Sequence, residues 1–123
     1  MEAYDPQVNS WQRVASMPQP LCDHAAAVMG GKIYVTGGES DGSSVNSAYV
    51  YDPQADTWTQ LASMDNARRD HASAAVGGKL YVFGGLDGDE CLSTAEVYEP
   101  ASNSWAQVTS LTSARSHFVA AAL

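Results

Sequence analysis

Positive charge is scarce in this chain of 123 residues: six Lys and Arg stand against fourteen Asp and Glu, giving a net charge of −8. The six (Arg13, Lys32, Arg68, Arg69, Lys79 and Arg115) are scattered. The basic stripe of a nucleic-acid surface is missing, so no nucleic-acid partner is expected. Cysteine is nearly absent as well. Cys22 and Cys91 form no Cys-x-x-Cys pair, which reads as two free thiols in a reducing, cytoplasmic compartment. No apolar run approaches the roughly 18 residues of a membrane span, so no membrane partner is expected. The opening Met-Glu-Ala-Tyr-Asp-Pro has neither the basic start nor the apolar core of a secretory signal.

Glycine pairs and short apolar runs are what the chain does have. Residues 30–38 read Gly-Gly-Lys-Ile-Tyr-Val-Thr-Gly-Gly, and 47 residues later residues 77–85 read Gly-Gly-Lys-Leu-Tyr-Val-Phe-Gly-Gly. Each copy is a β-branched and aromatic run between glycine pairs, the pattern of a strand bounded by turns. The leading pair follows another apolar run and suits a two-residue hairpin loop with φ > 0. Ile33 and Val35 fall on one face and Tyr34 on the other, so the strand should be covered on both sides.

The same spacing organises the rest. Tyr4-Asp5-Pro6, Tyr51-Asp52-Pro53 and Tyr98-Glu99-Pro100 each precede a tryptophan by seven residues: Trp11, Trp58 and Trp105. Proline presets the turn, and Asn9, Asp56 and Asn103 tolerate the left-handed conformation. The step of three from each Trp to Val14, Leu61 or Val108 breaks strict alternation and predicts a bulge or early strand end. A polar loop then leads to His24, His71 or His117, followed by small residues. An alanine-rich strand needs a tertiary reason, and the converging inner strands of a radial array supply one. The reading is all-β, with four-stranded blades ordered small-residue, glycine-pair, Tyr and Trp strand. Eleven strands result: the end of a preceding blade (1–21), two repeats (22–68 and 69–114) and the first strand of a following blade (115–123).

With Gly37-Gly38, Gly84-Gly85, the Tyr-[Asp/Glu]-Pro turns and the tryptophans seven residues on, the chain resembles the Kelch repeat over essentially its whole length. It is most similar to the animal Kelch-like proteins. The resemblance implies an arc of a β-propeller, with two full blades and three flanking strands, in which those glycines, Tyr4, Tyr51, Tyr98, Trp11, Trp58 and Trp105 hold the blades. It also implies a non-catalytic interaction module that presents a protein substrate to a cullin-type ubiquitin ligase. A cullin would be reached through a BTB region not present here. Actin binding is the alternative implied by other members, and a copper-oxidase-type Kelch enzyme is a more distant one. Kelch propellers have about six blades, so the chain is expected to be a piece of a longer one. Two departures stand out: Cys22 replaces the arginine of Arg69 and Arg115, and Tyr49 replaces the glutamate of Glu2 and Glu96.

No catalytic residue, cofactor or metal is expected. The three histidines head separate blades, too far apart to share one ion, and read as structural groups bonding to loop backbone. Asp87-Gly88-Asp89-Glu90 lacks the twelve-residue EF-hand loop. Partner contacts are expected where the repeats differ, on loops held by a rigid scaffold. Glu39, Asp41, Asp87, Asp89 and Glu90 lie in one loop set, and Arg68, Arg69 and Arg115 in the other, on one face of the disc. The arginines favour an acidic or carboxylate-bearing partner, whereas the net charge of −8 favours a basic one.

Overall fold

The computed structural model describes residues 2–7 and 9–109. Among them there is no helix, and hence none long and apolar enough to cross a membrane. A hairpin of β1 (Glu2–Asp5) and β2 (Ser10–Arg13) opens the chain. The first blade follows as β3 (Ala25–Met29), β4 (Lys32–Thr36), β7 (Ala48–Asp52) and β8 (Thr57–Gln60). The second is β9 (Ala72–Val76), β10 (Lys79–Phe83), β13 (Ala95–Glu99) and β14 (Ser104–Val108). Each is antiparallel in chain order. Two small hairpins fill the loops, β5 (Glu39–Ser40) with β6 (Ser43–Ser44) and β11 (Leu86–Asp87) with β12 (Glu90–Cys91). The sequence pattern places only loops at these four short segments, because two-residue strands carry no periodicity. The ten expected strands within the described residues are all present, while the eleventh, at 115–123, lies outside them.

The turns form as their residues dictate. Gly30 and Gly31 have φ of 59° and 75°, and Gly77 and Gly78 repeat this at 59° and 77°, the two left-handed positions of a tight hairpin. Asn9, Asp56 and Asn103 adopt φ of 49°, 52° and 48°, where a short polar side chain replaces glycine at little strain. The β2 and β8 strands stop right after the Trp segment, at Arg13 and Gln60, but β14 continues to Val108. The expected early end therefore holds for two of the three.

The blades pack face to face. Tyr34 of the first meets Leu80 and Tyr98 of the second, and Leu61, Val50 and Trp105 close around them. Leu80 is fully enclosed, and such burial stabilises by about 1.5–3 kcal/mol. At the inner edge β3 and β9 run beside one another, and the Ser73 hydroxyl donates to the Ala26 carbonyl at 3.2 Å. The alanines permit that approach.

Loop 61–71 is the mortar between the blades. Its backbone bonds to the first: Leu61 N–H to Ala48 O at 2.9 Å, Met64 N–H to Asn46 O at 2.9 Å and Arg68 N–H to Val45 O at 3.1 Å. The second blade grips it from the other side. Trp105 Nε1 donates to Ala62 O at 2.7 Å, and Asn103 Oδ1 accepts from Ala62 N–H at 3.0 Å and from Tyr98 Oη at 2.8 Å. The arrangement repeats one blade earlier. Trp58 Nε1 donates to Ala15 O at 2.9 Å, while Asp56 accepts from Ala15 N–H at 2.8 Å and Tyr51 Oη at 2.6 Å. The Tyr, Asp or Asn, and Trp of each repeat thus form one latch on a loop residue. Trp11, in the opening hairpin, is 65% exposed.

Candidate functional site

Because each glycine-pair strand ends where its hairpin loop begins, β5–β6 and β11–β12 emerge side by side from neighbouring blades. The Gly88 amide donates to the Ser44 hydroxyl at 3.0 Å, joining the two hairpins. Loop segments 20–23 and 67–70 return to the same place. Cys22 and Glu39 exchange two backbone hydrogen bonds (3.2 and 2.7 Å), and Arg69 and Leu86 exchange the matching pair (2.9 and 2.8 Å). The Asp70 amide donates to Asp23 O at 2.8 Å. The glycine pairs allow this close approach. A Cβ on Gly38 would stand 2.7 Å from Cys22 O and 2.9 Å from His24 Cβ.

The residues singled out from the sequence separate into three groups here. Asp41, Asp87, Asp89 and Glu90 are exposed on the hairpins. Glu39 and Arg69 are half-buried and face one another, with Arg69 Nε 3.7 Å from Glu39 Oε2. The Arg69 guanidinium also bonds Asp70 Oδ2 and Gly88 O, both at 3.0 Å. Arg69 therefore ties the two loop sets together. Arg115 and His117 lie outside the described residues.

Arg68 requires a correction: expected to meet a partner, it is wholly enclosed. Its guanidinium pairs with Glu96 at 2.8 Å, both side chains having no exposure, and also bonds Gly84 O, Thr94 O and Thr94 Oγ1. Glu96 accepts further from the amides of Asp65 (2.7 Å) and Asn66 (3.2 Å). A buried guanidinium is tolerated only with such pairing. The sequence carried the signal, since the equivalents of Arg68 and Glu96 one repeat earlier are Leu21 and Tyr49. Both members of the pair change together. The equivalent of Asp65 is Pro18, which has no N–H to offer a carboxylate. Tyr49 instead donates its hydroxyl to Gln19 Oε1 at 3.1 Å.

His71 corrects a second reading. It bonds a side chain, Thr36 Oγ1 at 2.9 Å, rather than loop backbone, and its Nδ1 is buried without a hydrogen-bond partner. Burial, reinforced by the positive charge of Arg68 and by His24, pushes its pKa down to about 3, so the ring is neutral at physiological pH. At the outer edge, the hydrogen bond to Asp56 pushes the Tyr51 hydroxyl up to about 12. The Asp56 carboxyl is held low, first by the Ala15 amide and then by Tyr51. Cys22 and Cys91 are exposed free thiols. One grouping went unread in the sequence: ligand-capable atoms of Cys22, Asp23 and Glu39 lie within 4.8 Å of one another.

Four-stranded blades of this order, packed through their faces and joined by loop latches, define a β-propeller-type repeat protein. Residues 1–122 match the family model described as the KLHDC2/KLHL20/DRC7 Kelch-repeats domain. The chain belongs to that Kelch-repeat family, whose domains serve protein–protein interaction. It is also similar to Kelch-like protein 33 of Homo sapiens, with 42% identity over 38 residues. That match covers 31% of this chain and 7% of the human protein.

Proposed function

We propose that the chain is the substrate-recognition part of a Kelch-like adaptor for a cullin-RING ubiquitin ligase, a non-catalytic module whose loop face meets a protein partner bearing basic groups. The observation that carries this reading is the charge left accessible on that face among the described residues. Asp41, Asp87, Asp89 and Glu90 are exposed, whereas Arg68 is enclosed and Arg69 is engaged by Glu39, Asp70 and Gly88. An acidic surface steers basic partners and disfavours acidic ones. The adaptor role rests on the family and on the similarity to Kelch-like protein 33.

The test is made in the full-length protein expressed in cells. Asp87→Asn/Asp89→Asn/Glu90→Gln is compared with wild type for the proteins it retains, at low and at physiological salt. Loss of a set of basic, salt-sensitive partners in the variant, with a cullin scaffold retained by both, supports the reading. An unchanged partner set sinks the loop-face assignment, and failure of the wild type to retain a cullin sinks the adaptor role.

A further inference from the structure

The dipeptide Asp-Gly occurs twice, as Asp41-Gly42 and Asp87-Gly88, once in each small hairpin of the loop face. This pairing is chemically labile. The amide nitrogen after an aspartate can attack the side-chain carboxyl carbon, and a glycine there neither blocks the approach nor resists the rotation it needs. Asp41, Gly42, Asp87 and Gly88 are all exposed, and a Cβ on either glycine would meet nothing within 4 Å. Access therefore does not separate the two sites.

Hydrogen bonding does. The second Asp-Gly stands one position earlier in its repeat, so Gly88 is the equivalent of Asp41 and Asp89 that of Gly42. The Gly88 amide, the nucleophile of the second site, is held by the Ser44 hydroxyl of the neighbouring hairpin at 3.0 Å. Among the described residues no hydrogen bond reaches the Gly42 amide. Its equivalent, the Asp89 amide, is also unbonded although a hairpin stands before it, so a neighbour on that side leaves this position free. Asp41 moreover sits at φ of 52°, a left-handed conformation that a residue with a Cβ holds against strain.

We propose that Asp41-Gly42 is a site of spontaneous backbone isomerisation, and that the Ser44 hydroxyl withholds the same reaction from Asp87-Gly88. At the first site Gly42 N bonds to Asp41 Cγ, the carboxyl hydroxyl leaves as water with the amide proton, and a succinimide ring closes. Water then adds to one of the two ring carbonyls. Addition at Cγ restores aspartate. Addition at the main-chain carbonyl carbon breaks its bond to Gly42 N and leaves the chain running through the former side chain, as isoaspartate with a free α-carboxylate. The water lost is regained, so the mass is unchanged and no co-reactant is consumed. The product carries an extra methylene in the turn between Ser40 and Ser43, where turn length fixes the register of the hairpin. At the second site the bond to Ser44 must open before Gly88 N can attack.

The experiment holds the purified full-length protein at physiological temperature and pH and samples it over weeks. Trypsin leaves the two sites on separate peptides, residues 33–68 and 80–115, and electron-transfer fragmentation locates isoaspartate within each. It should accumulate at Asp41 and lag at Asp87. Ser44→Ala should speed the reaction at Asp87 by roughly three- to tenfold, the worth of one neutral hydrogen bond. Ser44→Thr keeps the hydroxyl and should leave Asp87 slow. Unfolded peptides of residues 38–45 and 85–92 should react alike, which would assign the difference to the fold. Amide hydrogen exchange checks the bond without any substitution: Gly88 should exchange more slowly than Gly42. Absence of isoaspartate at Asp41 overturns the site. Equal rates at Asp41 and Asp87, an Asp87 rate unmoved by Ser44→Ala, or faster exchange at Gly88 than at Gly42 overturns the role of Ser44.

Discussion

Arg68 and Glu96 meet at 2.8 Å with neither side chain exposed, one blade's charge answering a loop that arrives from the other. Removing one member strands the other in a dry site, which costs about 3–5 kcal/mol. Arg68→Leu and Glu96→Tyr should therefore each lower the thermal midpoint sharply. The pair Arg68→Leu/Glu96→Tyr copies the Leu21 and Tyr49 combination and should recover most of the loss. A double variant no better than the sum of the singles would show that the exchange is not a coupled one.

His71 predicts an acid-sensitive fold. Its folded pKa of about 3 lies below the ordinary value of 6.5, so between these pH values the unfolded chain binds the extra proton. Stability should be full above about pH 6.5 and fall as pH drops toward 3, by up to about 1.4 kcal/mol per pH unit. His71→Gln should flatten this window in chemical denaturation measured at several pH values. An identical slope would mean that the imidazole is not the group titrating. The depressed Asp56 also loses its contribution on acidification, but at lower pH.

The latch on Ala62 should tolerate chemistry but not deletion. Asn103→Asp reproduces what Asp56 does one blade earlier and should leave the melting temperature within a degree or two. Asn103→Ala removes the acceptor for both Tyr98 Oη and Ala62 N–H and forces a non-polar residue into a left-handed turn. A loss of about 1–3 kcal/mol is expected. Equal melting of the two variants would contradict the latch.

Two glycine variants should separate strain from collision. At Gly30, with φ of 59°, an added Cβ meets nothing within 4 Å, so Gly30→Ala should cost only about 1–2 kcal/mol. Gly38→Ala adds contacts with Cys22 O and His24 Cβ and should be markedly worse by thermal melting. Comparable losses would mean that the loop yields easily at Gly38.

The blade order, the glycine turns and the left-handed Asn9, Asp56 and Asn103 were legible because each rests on local geometry repeated at fixed spacing. The site was less so. Arg68 and Arg69 are adjacent and look alike in sequence, yet one points into a blade and the other across two hairpins. That difference is decided by Glu96, 28 residues further on. For His71 the sequence points only to bonding with loop backbone, because Thr36, its partner, lies on a strand that sequence alone does not bring beside it.

The latch has a consequence for how such a chain can grow. Ala15 is held by Asp56 and Trp58, and Ala62 by Asn103 and Trp105. Arg68 with Glu96, like Leu21 with Tyr49, also falls within one stretch of a loop and the four strands after it. Residues 14–60 and 61–107 are therefore each a heritable package that carries both halves of these two fastenings, the latch and the enclosed pair. A tandem duplication copying that window delivers matched partners in one event. One copying a window shifted to begin at residue 69 would part Arg68 from Glu96. Drift can then rewrite the enclosed pair of one package, from arginine and glutamate to leucine and tyrosine, without asking its neighbour to supply a new partner.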